Sequence, residues 1–177
     1  VAQKACKPVI VATEMLHSMI QHPLPTKAEI SDISNAVLDG AAALMLSGET
    51  AVGDFPDESV RVMRKIADAV ESHTQIVSDG VHEASARNIP QPMGDAVALL
   101  CPRLPVTKIV AITVSGYAAR TIAAFRPRQP ILAVSNNWAN ARSFNLLAGV
   151  EGVYADVVFS RTSTDHIARC LEILWRM

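Results

Sequence analysis

The sequence predicts an α/β fold with parallel strands, arranged in two successive units. Short β-branched runs alternate with amphipathic helical patterns along most of the 177 residues, and such alternation is typical of βα units joined by right-handed crossovers. A stretch with two prolines and a Ser-Asp-Gly run interrupts the alternation, which indicates a loop or boundary. We therefore expect one unit at residues 1–74, a boundary segment at 75–92 and a second unit at 93–177.

The first unit is predicted to hold two strands, at residues 9–12 and 43–46, each followed by a helix. Thr26 and Glu29 have the spacing of a capping box, in which each side chain bonds to a free backbone N–H at the start of a helix. Pro56 fits the first position of the helix after the second strand. Two βα units would leave strand edges unpaired, so we expect this unit to be part of a longer polypeptide.

The second unit repeats the alternation of strand and helix. Its strands are predicted at residues 108–113, 131–134 and 153–159. Its helices are predicted at residues 94–104, 117–125 and 138–147, and a last helix is expected after the capping-box pair Thr162 and Asp165. The apolar residues of that last helix recur at helical spacing and are Ile167, Leu171 and Leu174.

Composition and charge argue against several classes of function. The 16 basic and 17 acidic residues give a formal net charge of −1, so we expect neither nucleic-acid binding nor attachment to an anionic membrane. No apolar run approaches the roughly 20 residues of a membrane span. The five histidines lack zinc-binding spacing, and no metal site is predicted. The three cysteines lie far apart, which is typical of reduced thiols in a cytosolic protein.

Polar residues follow both predicted strands of the first unit. Thr13 follows the first strand, and Ser47 and Glu49 follow the second. The carboxyl ends of parallel strands open on one edge of a sheet, where ligands bind, so these side chains are expected to lie side by side. Two hydroxyls and a carboxylate there could relay a proton or orient a substrate. The alternative is that Thr13 and Ser47 only cap the following helices and that Glu49 is a solvated loop residue.

A second candidate site lies between the first strand and the next helix of the second unit. Hydroxyls, a glycine and the backbone N–H groups at a helix start together form an anion-binding cradle. The candidate residues for binding a phosphate are Thr113, Ser115, Gly116, Tyr117 and Arg120. Arg126 and Arg128 could add positive charge; the alternative is a tight turn whose arginines are only solvated.

Four motifs occur in the same order as in pyruvate kinases. They are the run Lys-Pro-Val-Ile-Val-Ala-Thr-Glu-Met-Leu-His-Ser-Met-Ile at 7–20, Pro-x-Pro-Thr-Lys-Ala-Glu at 23–29, Asn-Ala-Val-Leu-Asp-Gly-Ala at 35–41, and Met-Leu-Ser-Gly-Glu-Thr-Ala-x-Gly-Asp-Phe-Pro at 45–56. The chain thus resembles the carboxy-terminal part of a pyruvate kinase, more loosely towards residue 177. The resemblance implies the end of a (β/α)8 TIM barrel at 1–74 and, at 93–177, a three-layer α/β/α regulatory domain that is incomplete at its end.

The resemblance also implies an activity. Members of the family transfer phosphate from phosphoenolpyruvate to ADP and then protonate the enolate to give pyruvate. By resemblance, Thr13 lies beside the methylene carbon that is protonated, and Ser47 and Glu49 belong to the proton relay behind it. Glu14 stands where many relatives have Gln. The ligands of Mg²⁺ and K⁺ are expected in earlier barrel strands, so this segment alone is not expected to be an active kinase.

Regulation and assembly are implied in the same way. In the family, the loop that corresponds to residues 113–120 binds a phosphate of an allosteric effector. Ala118 stands where relatives that bind fructose bisphosphate usually have Ser or Thr, which leaves another phosphorylated effector open. A cytoplasmic homo-tetramer is expected, with the last helix contributing to a symmetric interface or only to the core. Two alternatives are a non-catalytic α/β module that binds a phosphorylated metabolite and an assembly piece descended from the kinase.

Overall fold

The computed structural model describes residues 2, 5–12, 14–73, 90–160 and 164–175. Most of them belong to two compact units, an N-terminal unit that includes residues 8–73 and a C-terminal unit that includes the described residues from 90 onwards. Thr13, the predicted cap residue Thr162 and most of the predicted boundary segment lie outside the described residues. No described helix is long and apolar enough to cross a membrane.

The N-terminal unit has two short strands and three α-helices among its described residues. Its strands are β1 (Ile10–Val11) and β2 (Ala43–Leu44), and its helices are α1 (Lys27–Leu38), α2 (Gly48–Ala51) and α3 (Pro56–His73). A 3₁₀ helix, His17–Ile20, lies between β1 and α1. The predicted order of strands and helices is confirmed, and so are the capping box of Thr26 and Glu29 and the helix start at Pro56.

The strands β1 and β2 are parallel neighbours, as predicted. Ile10 pairs with Ala43 and Val11 pairs with Leu44. The bond from the Met45 N–H to the Val11 carbonyl continues the pairing beyond β2. Because neighbouring parallel strands end on the same edge of a sheet, the loops that follow β1 and β2 begin side by side.

Methionine and aliphatic side chains fill the core of the N-terminal unit. Met15, Leu16 and Met19, from the segment after β1, pack with Ile33 of α1 and Met63 of α3. Leu16, Met19 and Ile33 are fully buried, and burial of each such side chain contributes about 1.5–3 kcal/mol. Apolar contacts therefore attach the segment after β1 to two helices.

The C-terminal unit contains a three-stranded sheet and four helices among its described residues. Its strands are β3 (Ile109–Ile112), β4 (Ile131–Ser135) and β5 (Val150–Tyr154). Its helices are α4 (Pro90–Leu100), α5 (Tyr117–Ala124), α6 (Trp138–Phe144) and α7 (Asp165–Trp175). Helix α4 begins and ends earlier than the predicted 94–104. Its start was misplaced because Pro90 and Pro92, which were taken as loop signals, stand in its first turn, where proline is tolerated.

The sheet of the C-terminal unit has helices on both faces. Strand β4 lies between β3 and β5, and all three are parallel. On one face, Ile109 of β3 shares a core cluster with Ala119 of α5 and Phe144 of α6. On the other face, Val134 of β4 shares a cluster with Cys170 of α7. The predicted α/β fold class, with its three layers of helix, sheet and helix, is confirmed.

Strand β5 differs from the predicted strand at 153–159. The observed strand begins at Val150 and ends at Tyr154. Gly152 interrupts the apolar pattern of the true strand. Beyond the strand, Ala155 and Val157 remain buried in the cluster around α7, which is why the apolar pattern continues past the end of β5.

Helix α6 lies very close to the sheet at Gly152. A Cβ atom at this position would lie 1.8 Å from the Ala141 carbonyl oxygen. The Gly152 N–H also donates to the Asn145 side-chain oxygen at 2.7 Å. The absence of a side chain at this position therefore sets how closely α6 packs on the sheet.

Replacing Gly152 by alanine should lower the free energy of unfolding by about 3 kcal/mol, at the upper end of the usual cost of overpacking, because the obstacle is backbone. Gly149→Ala is the matched control. No atom lies within 4 Å of its added Cβ, and only its φ of +67° opposes a side chain, which costs about 1–2 kcal/mol. Urea unfolding followed by circular dichroism measures both losses. A smaller loss for Gly152→Ala than for Gly149→Ala would contradict the packing argument.

Candidate functional site

Glu49 connects the loops at the carboxyl ends of β1 and β2. It lies in the first turn of α2, and only 3% of its surface is exposed. One carboxylate oxygen accepts the Leu16 N–H at 2.9 Å, and the other accepts the Ser47 N–H at 2.8 Å. Leu16 belongs to the loop after β1 and Ser47 to the loop after β2, so one side chain holds both loops together.

The surroundings of Glu49 favour its charged form. Burial by itself would raise the pKa of the Glu49 carboxyl, but hydrogen bonds from its own backbone N–H and from those of Leu16 and Ser47 hold that pKa below its ordinary value. The nearby His17 lowers the pKa further by its charge. Hydrogen bonds to the charged form of a carboxyl stabilise that form, so Glu49 is a carboxylate at neutral pH.

Ser47 stands before α2, but its side chain makes no capping hydrogen bond. The residue is exposed, next to the buried Glu49. The alternative in which Ser47 only caps the helix and Glu49 is solvated is therefore wrong. Thr13, the third predicted member of this site, lies outside the described residues, so its proximity to Ser47 and Glu49 stays a prediction.

Glu29 holds the loop after β1 at a second point. Its Oε1 accepts the Ser18 N–H at 2.7 Å. Its Oε2 accepts the hydroxyls of Ser18 and Thr26 at 2.6 and 2.8 Å and the Thr26 N–H at 2.7 Å. Burial by itself would raise the pKa of the Glu29 carboxyl, but these bonds, led by that from the Ser18 hydroxyl, hold it below its ordinary value. The capping-box spacing predicted the Thr26 bonds, whereas no sequence pattern indicates the contact with Ser18.

The two carboxylates of this site bind protein donors. Within the part of the chain that the structure describes, no group of three or more histidine, cysteine and acidic residues could hold a metal ion. Glu29 and Glu49 accept hydrogen bonds from backbone and hydroxyl donors of the loop after β1 and its surroundings. Both carboxylates are therefore bonded within the protein, where they hold the segment after β1 in place.

The second candidate site is a preformed turn between β3 and α5. Thr113 is 7% exposed, and its hydroxyl oxygen accepts the Gly116 N–H at 3.0 Å. Gly116 has a φ of +77°, which favours glycine, and an added Cβ would lie 2.4 Å from the Phe144 ring. Asn140 of α6 donates its side-chain amide to the Val114 carbonyl at 2.7 Å. These contacts fix the backbone of the turn.

The predicted phosphate-binding residues differ in what they offer a ligand. Ser115 and Tyr117 are exposed, whereas Arg120 is half-buried. The Thr113 hydroxyl is buried and bonded within the turn, so it shapes the loop more than it offers a group to solvent. The structure brings all five predicted residues into one turn and the first helical turn after it, and their binding of phosphate stays a prediction.

Two family models match the chain one after the other. The pyruvate kinase barrel domain matches residues 1–60, and the pyruvate kinase alpha/beta domain matches residues 92–176. The two matches follow the order of the N-terminal and C-terminal units. They also agree with the parallel strands and flanking helices of both units.

Similar proteins and structures are pyruvate kinases as well. The chain is 46% identical over 147 residues to the pyruvate kinase of Geobacillus stearothermophilus and 44% identical over 144 residues to pyruvate kinase 2 of Synechocystis sp.. Each alignment covers 81% of this chain, but only 25% and 24% of those two relatives. The crystal structure of a Cryptosporidium parvum pyruvate kinase matches with a TM-score of 0.88 at 32% identity, over 97% of this chain and 35% of that chain. The chain thus spans about a quarter of the length of the curated relatives it matches.

Replacing Glu49 by glutamine should lower the free energy of unfolding at pH 7 by about 1.5–3 kcal/mol, the usual range for a hydrogen bond to a charged group. The amide keeps one acceptor oxygen and turns an N–H₂ towards a backbone donor. Glu58→Gln is the matched control, since Glu58 pairs with Arg61 on the exposed face of α3, and such pairs contribute about 0–1 kcal/mol. Urea unfolding measures both variants.

The effect of Glu49→Gln should also depend on pH. The pKa of Glu49 is lowered on folding, so its contribution is complete above the pKa of the unfolded chain and is lost as pH falls through the folded pKa. The difference between wild type and variant should therefore shrink below pH 4.5, the ordinary pKa of the group. A difference that grows on acidification would mean that Glu49 is protonated in the folded protein.

Proposed function

Because the chain belongs to the pyruvate kinase family, we propose that it forms the carboxy-terminal part of a pyruvate kinase, which transfers a phosphoryl group from phosphoenolpyruvate to ADP and yields pyruvate and ATP in glycolysis. The observation that carries this proposal is the ordered match of two domains of one family, at residues 1–60 and 92–176. The identity of 44–46% with bacterial pyruvate kinases supports it.

We assign Thr13, Ser47 and Glu49 to the protonation of the enolate that phosphoryl transfer leaves behind. The enolate of pyruvate gains one proton at its methylene carbon, and the Thr13 hydroxyl would deliver that proton and regain one from water. Because a hydroxyl is a weak acid, a chain of hydrogen bonds must resupply the proton. The exposed Ser47 beside the buried carboxylate of Glu49 supports such a chain.

Glu49 has an orienting part in this proposal. Both of its oxygens accept backbone N–H groups, so its negative charge is fixed in place before substrate binds. A fixed charge of this kind orients nearby hydroxyls and water without reorganisation during the reaction. In this proposal the Thr13 hydroxyl donates the proton, and Glu49 holds the loops that follow β1 and β2 together.

The metal ions of the reaction belong to another part of the proposed enzyme. Family members use Mg²⁺ and K⁺, and positioning and electrostatic stabilisation by metal ions dominate phosphoryl transfer. No candidate cluster for a metal occurs among the described residues. The resemblance to the family implies that the ligands of both ions lie in earlier barrel strands, so we expect no kinase activity from residues 1–177 alone.

The turn between β3 and α5 is the proposed site of a phosphorylated allosteric effector. Its fixed backbone, the exposed Ser115 and Tyr117 and the nearby Arg120 support the binding of a phosphate. Ala118 removes a hydroxyl that relatives use for fructose bisphosphate. This difference leaves another phosphorylated effector open.

We also propose a cytoplasmic homo-tetramer. Helix α7 buries Cys170 in the core but leaves Ile167, Leu171 and Trp175 exposed. These three residues lie four apart and so form one stripe along the helix. An apolar stripe on the outer side of α7 supports a role for this helix in a symmetric subunit contact.

The proposed function is tested by pyruvate formation from phosphoenolpyruvate and ADP. The full-length enzyme should turn over in the presence of Mg²⁺ and K⁺, followed by coupling pyruvate to lactate dehydrogenase and NADH oxidation. Residues 1–177 alone should give no rate above the blank. A full-length protein that leaves phosphoenolpyruvate and ADP unchanged would exclude the kinase and favour a non-catalytic module.

Within the active enzyme, Thr13→Ala should lower kcat by about 10²–10⁴-fold, the usual contribution of general acid–base catalysis, with little change in KM for phosphoenolpyruvate. Thr13→Ser keeps the hydroxyl and should retain much more activity. Stereospecifically labelled phosphoenolpyruvate in deuterated water shows which face receives the proton. Wild type should protonate one face and Thr13→Ala both, so full turnover with unchanged stereochemistry in Thr13→Ala would show that Thr13 is not the proton donor.

A further inference from the structure

We propose that Glu29 is a positioning residue for the protonation step: its carboxylate holds Ser18, five residues after Thr13 in the chain, against the start of α1. The inference rests on the proposed function of Thr13. It concerns a residue whose sequence context predicts only a helix cap.

The contacts of Glu29 go beyond a capping box. A capping box needs the bonds between Glu29 and Thr26, and those bonds are present. Oε1, however, accepts the Ser18 N–H at 2.7 Å, and Oε2 also accepts the Ser18 hydroxyl at 2.6 Å. Hydrogen bonds to a charged carboxylate are about twice as strong as neutral ones. Glu29 therefore ties the 3₁₀ helix after β1 to the first turn of α1.

The tied segment directly follows Thr13 in the chain. Glu49 holds it at Leu16 and Glu29 holds it at Ser18, two residues further on. Leu16 itself and Met19, the residue after Ser18, are fully buried in the cluster that contains Ile33 of α1. A backbone that is fixed at alternate residues by carboxylates and apolar contacts has little freedom to shift.

Small shifts of a catalytic group have large kinetic effects. A misplacement of about 1 Å can cost on the order of 10²-fold in rate even when the altered residue is remote from the chemistry. Release of Ser18 would remove one of the two carboxylate anchors of the segment that follows Thr13 in the chain, and Glu49 would hold that segment at Leu16 alone. Loss of Glu29 should therefore lower kcat while substrate binding, which depends on other parts of the enzyme, is retained.

The kinetic test uses Glu29→Gln and Ser18→Ala in the full-length enzyme. Glu29→Gln should lower kcat by roughly tenfold, within the range expected for a misplaced catalytic group, with KM for phosphoenolpyruvate nearly unchanged. Ser18→Ala removes only the hydroxyl donor and should give a smaller loss in the same direction. Ser59→Ala, which removes a hydroxyl bonded within α3 far from this loop in sequence, controls for general loss of stability and should keep the wild-type kcat.

A double-mutant cycle separates positioning from simple destabilisation. If Glu29 acts through Thr13, adding Glu29→Gln to Thr13→Ala should cause almost no further fall in kcat, because coupled residues are not additive. The same tenfold loss in both backgrounds, or a wild-type kcat in Glu29→Gln, would overturn the proposal. Thr26→Ala removes the helix cap and keeps the Ser18 contacts, so a loss in Thr26→Ala equal to that in Glu29→Gln would also overturn it.

Hydrogen exchange tests the same inference without reference to activity. Amides of residues 14–21 should exchange faster in Glu29→Gln and Ser18→Ala than in wild type and Ser59→Ala. Unchanged exchange in Glu29→Gln would overturn the proposal whether or not the protein is a kinase. An inactive wild-type enzyme with faster exchange in Glu29→Gln would instead refute the catalytic function and leave Glu29 as a purely structural tether, which also overturns its positioning role.

Discussion

The buried carboxylate of Glu49 joins the loop that follows β1 to the loop that follows β2. Strands β1 and β2 pair over only two residues each, so backbone pairing alone does little to fix the chain beyond them. Glu49 adds bonds to Leu16 in one loop and to Ser47 in the other. Because these donors compensate for burial of the charge, the interaction is specific to a carboxylate and to this spacing of the loops.

Other features of the N-terminal unit reinforce that contact. The apolar cluster around Leu16, Met19 and Ile33 anchors the loop after β1 from the core side, and Glu29 anchors it at Ser18. In the C-terminal unit the turn after β3 is fixed differently. Hydrogen bonds to the Thr113 hydroxyl and from the Asn140 amide fix its backbone, and Phe144 lies where a side chain on Gly116 would be.

Much of the fold could be predicted from the sequence because its signals are local. The capping box of Thr26 and Glu29, the helix start at Pro56 and the alternation of strands and helices depend on neighbouring residues. The misses depend on contacts that are distant in sequence. Strand β5 was misplaced because Ala155 and Val157 are buried by α7.

The candidate site shows the same limit. Motif order identified Ser47 and Glu49, but the burial of Glu49 and its bond to Leu16, 33 residues away, follow from how two loops meet. The contact of Ser18 with Glu29 had no sequence signal for the same reason. The hydrogen bond from the Gly116 N–H to the Thr113 hydroxyl was also missed. A threonine at the end of a strand can face either solvent or its own turn, and the sequence does not distinguish the two.

The charge state of Glu49 is the most direct test of this arrangement. Carbon-13 NMR of labelled glutamate carboxyl groups, assigned with a Glu49→Gln variant, follows its protonation as pH is lowered. A midpoint below the ordinary value of 4.5 is expected, because the backbone donors of both loops stabilise the charged form. A midpoint above 4.5 would mean that burial outweighs those donors, and it would contradict the role of Glu49 as the charged link between the loops.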